Sequence, residues 1–169
     1  MKTKKLLLSL MTAVSVLLFN SCSEEDKCKD ITCLNGGVCV DGVCINCDAG
    51  YEGNLCETVS RTKFLGTYSV RDSCTSSGIS TYSITIDTSS VGIDKVLVSN
   101  FWDLFSSPVR ASIDVDDITI PAQEPDNDGF WVAGDGTKSG NTINVTYVIT
   151  DSTASPVDRD TCFSVWTKI

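Results

Sequence analysis

An all-β protein in two parts is what this sequence predicts, and three observations carry the prediction. Short runs of alternating apolar and polar residues recur from Ser60 to the C-terminus, the mark of half-buried strands. Apolar residues nowhere repeat at helical spacing, while Ser, Thr, Asp and Gly are abundant. The cysteines crowd ahead of the alternating runs: six fall between Cys28 and Cys56, and only Cys74 and Cys162 follow.

Lys2, Lys4 and Lys5 precede an uncharged run from Leu6 to Phe19, shorter than the roughly 20 residues that a membrane-spanning helix needs. A basic start followed by such a run is a secretory signal, so residues 1–21 are read as a signal peptide. The run ends in "LLFNSC", with the small Ser21 before Cys22. This resembles the lipobox of bacterial lipoproteins, which implies cleavage before Cys22 and acylation of its thiol by palmitate or a similar chain. The alternative is an ordinary signal, with Cys22 joining a disulfide. The chain has nine cysteines; lipid on Cys22 leaves eight that can pair. Residues 22–27 then form a lipidated tether. Its Ser23, Glu24, Glu25 and Asp26 resemble the acidic export signal that sends lipoproteins of certain Gram-negative bacteria to the cell surface, although acids after an anchor also serve as a solvated tether. These resemblances imply a protein held in the outer membrane by its lipid and exposed at the cell surface.

Charge narrows the partners. Cleavage removes three of the 13 basic residues, leaving 10 against 22 acidic ones, a net charge near −12. Such a chain repels nucleic acid phosphates, and no basic patch interrupts it. There is no histidine, which removes the commonest general base and zinc ligand.

From Cys28 the spacing is C-x4-C-x5-C-x4-C-x2-C-x8-C, and Gly50-Tyr51-Glu52-Gly53 precedes Cys56. So short a segment buries too little apolar surface to fold alone, and disulfides must supply the constraint. Asn35-Gly36-Gly37 and Asp41-Gly42 supply residues suited to tight reversals. Spacing alone leaves 15 connectivities. The pattern over residues 28–57 resembles an epidermal-growth-factor-like (EGF-like) module, with two residues, Ile45 and Asn46, between the fourth and fifth cysteines where most such modules have one. The resemblance implies Cys28–Cys39, Cys33–Cys44 and Cys47–Cys56. Some modules of this family bind calcium, and Asp26 and Asp41 are the oxygen donors a cation would find here. Lys27 stands where the family places an acid before the first cysteine, so a stapled spacer without metal or other cofactor is expected.

Residues 61–169 are predicted to form an antiparallel β-domain of about eight strands. Its alternating residues are Tyr68 and Val70; Tyr82, Ile84 and Ile86; Val96 and Val98; Val109, Ala111, Ile113 and Val115; Ile118 and Ile120; Phe130 and Val132, or Trp131 and Ala133; Ile143, Val145, Tyr147 and Ile149; and the run "CFSVWTK". In an up-and-down meander the first and last strands are antiparallel neighbours. Cys74, after the first, then faces Cys162, opening the last, and a bond closing so long a loop contributes about 4 kcal/mol in the chain-entropy model. A small lipocalin-like barrel is the first choice and a β-sandwich the alternative. The pattern is also similar to small β-domains of surface lipoproteins in the same bacterial group.

Motifs for catalysis are weak. "GDGTKSG" (Gly134 to Gly140) lacks the Gly-Lys-Ser/Thr of a phosphate loop and lies between strands, so it reads as a turn. "PDNDG" (Pro125 to Gly129) lacks the bidentate acid of a calcium loop and also reads as a turn. Asp114, Asp116 and Asp117 read as solvated corner residues, in a domain with little room for the cleft that paired carboxylates need. No enzyme is expected. The first functional reading is a binding module that contacts a protein or glycan through Phe101, Trp102 and Phe105 of "NFWDLF", unless those rings pack in the core or at the barrel mouth. The second is a carrier holding a small apolar ligand inside the barrel, unless Tyr68, Tyr82, Tyr147 and Trp166 fill it.

Overall fold

The computed structural model describes residues 26–169; the signal peptide, Cys22 and the acidic Ser23, Glu24 and Glu25 lie outside the described residues. The architecture is all-β, with a closed eight-stranded antiparallel barrel behind two small disulfide-linked sheets. Strands β1 (Val38–Val40) and β2 (Val43–Ile45) form one sheet, and β3 (Tyr51–Glu52) and β4 (Thr58–Val59) the other. The β1–β2 reversal uses Asp41 and Gly42 at φ 53° and 91°, the twist a two-residue hairpin requires. Disulfides join Cys28 to Cys39, Cys33 to Cys44 and Cys47 to Cys56.

A short 3-10 turn, Ser60–Lys63, leads into the barrel: β5 (Gly66–Cys74), β6 (Gly78–Thr88), β7 (Lys95–Ser99), β8 (Val109–Asp114), β9 (Asp117–Gln123), β10 (Phe130–Ser139), β11 (Thr142–Asp151) and β12 (Asp158–Lys168). Every strand pairs with its sequence neighbours, and β12 closes on β5 with Cys162 opposite Cys74. Those two sulfurs are bonded. A sheet that closes on itself has no free edge, and the sandwich alternative is not what forms.

Alternation places the predicted residues inside. Tyr68, Val70, Ile84, Ile86, Val96, Val98, Ile118, Ile120, Ile143, Val145, Tyr147 and Trp166 are buried. In β10 the inward pair begins with Phe130 and Val132, and Trp131 faces out. Val115 departs from the expected face. It sits in the β8–β9 turn at φ 49° and is exposed, because the reversal takes it out of the pleat. Gly134 faces inward where β10 crosses β11 closely; a methyl there would sit 2.4 Å from the Thr146 carbonyl oxygen. The absent side chain lets the sheet coil tightly enough to close.

One seam is laced differently. The β8–β9 ladder has three pairs, ending at Ser112 opposite Thr119. Beyond them Pro121 has no N–H to offer, and β9 slips register against β10. The Gln123 carboxamide fills in: Oε1 accepts from the Arg110 amide at 2.9 Å, and Nε2 donates to the Arg110 carbonyl at 2.7 Å.

The cysteine-rich segment is fastened to the near end of the barrel. Arg61 donates through Nη1 to the carbonyls of Ser89, Gly92 and Lys95 at 3.0, 2.7 and 3.0 Å. Lys63 bridges Glu52 at 2.7 Å and Asp116 at 2.8 Å. Burial alone would lower its pKa, but the two carboxylates raise it. Gly50, at φ 89°, lies so close to Ile93 and Asp94 that a methyl would meet both at 3.0 Å.

Candidate binding site at the far mouth of the barrel

Both ends of the barrel chain, Gly66 and Lys168, lie at the near end, beside the cysteine-rich segment. The far end is built only from the loops after β5, β7, β9 and β11. Among these, residues 100–108 carry the "NFWDLF" motif. Asn100, Trp102 and Asp103 take left-handed backbone at φ 58°, 59° and 55°, a strained conformation for a residue as bulky as Trp. It is held by its surroundings. Asn100 Nδ2 donates to the Ser83 carbonyl at 2.9 Å and the Asp103 carboxylate at 3.1 Å, and the Trp102 amide donates to the Tyr82 hydroxyl at 3.1 Å.

This backbone separates the three aromatic residues. Phe101 is thrown inward, fully buried, edge-on to Tyr147 at 4.9 Å and to Trp166 at 5.8 Å. Phe105 is buried too. Both are corrections to the expectation of a three-residue contact surface, because their rings complete the core. Trp102 alone stays half-buried, with ring centroids 5.8 Å from Phe105 and 5.9 Å from Phe130. Trp102 and Phe130 border a cavity of about 300 Å³ with Ile149, Ser76, Ser77, Asp151, Asp158 and Asp160.

The acids here are fixed. Asp160 accepts from the Thr75 hydroxyl, the Ser76 amide, and the amide and hydroxyl of Ser77, at 2.6–2.9 Å. Burial by itself would raise its pKa; these donors outweigh it and hold the carboxyl below the usual range. Asp151 accepts from the Thr153 hydroxyl and amide and the Ala154 amide, which likewise lower its pKa, the Thr153 side chain most. Asp126 ties the β9–β10 loop to the mouth by accepting from the Ser106 and Ser107 amides at 2.8 and 2.7 Å, and its pKa is lowered by them.

Beneath the mouth lies a polar network that sequence reasoning missed. Asp72 is fully buried in β5, and its carboxyl accepts from Tyr82 at 2.8 Å, from Tyr147 at 2.5 Å and from Ser164. Trp166 Nε1 donates to the Ser164 hydroxyl at 2.6 Å. Burial and the neighbouring acid push both phenols well above their ordinary pKa. The signal was present: Asp72 shares the inward parity of Tyr68, Val70 and Cys74, where an acid has no ordinary place.

Other singled-out residues are engaged structurally. Asp26 accepts from the Cys28 amide at 3.0 Å, and Asp41 pairs with Lys27 at 3.3 Å. Asp116 holds Lys63, and Asp117 accepts from the Thr137 hydroxyl at 2.8 Å, so neither is the merely solvated corner acid expected. "GDGTKSG" is mostly strand β10, with only its end in a turn, whereas "PDNDG" lies in the β9–β10 turn as expected. Cys74, Asp160 and Cys162 bring ligand atoms within 4.8 Å, but the sulfurs are bonded to each other and offer no thiolate. Among the described residues no helix is long and apolar enough to cross a membrane.

No protein-family model matches the chain, and no curated protein does. Among solved structures, that of EF1p2_mFAP2b bound to DFHBI is similar at 11% identity and a TM-score of 0.46, over 65% of this chain and 97% of that one.

Proposed function

We propose that this is a surface lipoprotein, anchored in the outer membrane through Cys22, that acts as a non-catalytic binding module. The cysteine-rich segment is its EGF-like spacer, and the partner is a protein or glycan met by the far loops. The observation that carries this reading is the polarity of the molecule. The segment leading back to the tether is clamped to one end by Arg61, and the only half-buried member of the "NFWDLF" aromatics, Trp102, borders a cavity at the opposite end. Catalysis has little to work with: the chain has no histidine, and Asp116 and Asp117 are engaged by Lys63 and Thr137.

The alternative, a carrier of a small apolar ligand, is narrowed by the interior. Tyr68, Tyr147, Phe64, Phe101 and Trp166 are buried there, as in small barrels filled by side chains, so any cargo belongs at the mouth.

Mass spectrometry of the membrane fraction tests the anchor and should find an acylated Cys22; a soluble protein beginning elsewhere would refute it. A glycan array and surface-protein cross-linking, repeated with Trp102→Ala, test the contact. The variant should lose more than about 1 kcal/mol of affinity for whatever the wild type retains, with its melting intact. Hydrolytic activity lost on changing Asp116 or Asp117 overturns the reading.

A further inference from the structure

We infer that the far mouth recognises an organic cation, an ammonium or guanidinium bearing apolar groups. The inference rests on the proposal that the far loops are the contact surface, and names what they contact. The cation is either a free alkylated amine or the lysine or arginine tip of a partner; the chemistry that would hold it is the same.

The aromatic rings come first. Trp102 and Phe130 stand 5.9 Å apart, inclined by 45°, along a cavity of about 300 Å³. Aromatic faces attract cations within about 6 Å of the ring centre, indole most strongly. Ile149 supplies an apolar wall suited to methyl or methylene groups. Three carboxylates, Asp151, Asp158 and Asp160, border the same cavity, and among the described residues no lysine or arginine does. Two of the three are already oriented by hydrogen bonds, Asp160 from the loop after β5 and Asp151 from its own loop, so little reorganisation opposes binding. Asp158 is exposed and accepts only from the adjacent Arg159 amide among the described residues, which leaves it open to a partner. The volume matches the small end of ligand pockets, about 300–1,000 Å³, the size of a quaternary amine or a side-chain tip. The acidic chain as a whole steers cations inward.

The test uses the disulfide-bonded mature chain, followed by NMR at the Trp102 indole. Choline is titrated against 3,3-dimethyl-1-butanol, in which carbon replaces the charged nitrogen. Choline should bind saturably, and the neutral compound about tenfold more weakly or worse. Asp158→Asn should weaken choline about threefold without changing the melting temperature, and added salt should weaken it further. Trp102→Leu, followed at the backbone amides of Ser77 and Asp158 on the same cavity, should abolish the effect; should that variant fail to fold, Phe130→Leu, followed at the same amides, replaces it. Blocked lysine and arginine amides form the second arm. Tighter binding by either than by choline assigns the site to a partner's side chain, and the reverse assigns it to a free amine; both support the inference. Equal affinity for the charged and neutral compounds overturns the cation but leaves the contact surface standing. Shifts that survive loss of the aromatic ring, or no shifts at all, overturn the inference, while the partner-binding experiment with Trp102→Ala judges the contact surface separately.

Discussion

The cysteine-rich segment and the barrel solve the same problem by opposite means. Residues 28–59 bury Cys44 and Cys56 and leave Leu34, Val38, Val40, Val43, Ile45 and Leu55 exposed, so their shape is held by three covalent bonds. The barrel has one disulfide across 88 residues and a continuous interior of packed side chains. Covalent constraint acts by restricting the unfolded chain, whereas packing acts through contacts made only when folded. The two regions should therefore fail under different insults.

The strongest test removes packing. Trp166→Ala should destabilise the barrel by about 3–5 kcal/mol, while hydrogen exchange in residues 28–59 stays slow; simultaneous loss in both regions would break the distinction. The converse removes a bond. Replacing Cys33 and Cys44 by alanine should cost the cysteine-rich segment about 2–5 kcal/mol, read as rapid exchange confined to that segment with barrel strands still protected.

Within the barrel, buried polar bonding and apolar packing act side by side. Asp72→Ala strands the hydroxyls of Tyr82, Tyr147 and Ser164, and should cost about 2–3 kcal/mol in chemical denaturation. A pH series probes the same groups. Asp160 has a lowered folded-state pKa, so its stabilisation is full above about 4 and fades as pH falls. Tyr82 and Tyr147 have raised values, and Tyr68 is pushed up to about 12 by burial. Their contribution is full below about 10 and is lost as pH rises beyond it. Thermal melting should therefore show a plateau between these limits, the acid arm weakened in Asp160→Asn. The smallest effect concerns the joint. Arg61→Ala removes three hydrogen bonds from a charged donor and should cost about 1–2 kcal/mol, with faster exchange in residues 89–95.

Much of this was legible beforehand because period-two patterning and cysteine spacing are local signals. "TINVTYVIT" announced β11 by itself, and Cys74 with Cys162 pointed to closure. The aromatic loop was harder to read: Phe101, Trp102 and Phe105 look alike in sequence, and only the left-handed backbone between them decides which ring enters the core. Asp72 was missed because its partners Tyr147 and Ser164 lie 75 and 92 residues away. Nor does composition reveal that Gln123 replaces a backbone pair, since that depends on a register slip beside Pro121.

The Cys74–Cys162 bond has a mechanical consequence. The chain enters β5 and leaves β12 at the near end, while the bond crosses the far end. A pull between the N-terminal side of β5 and the far mouth runs along the strands and loads β5 in shear, stretching many ladder hydrogen bonds together. The cross-link shares that load with β12, so the two strands bear it as one doubled cable.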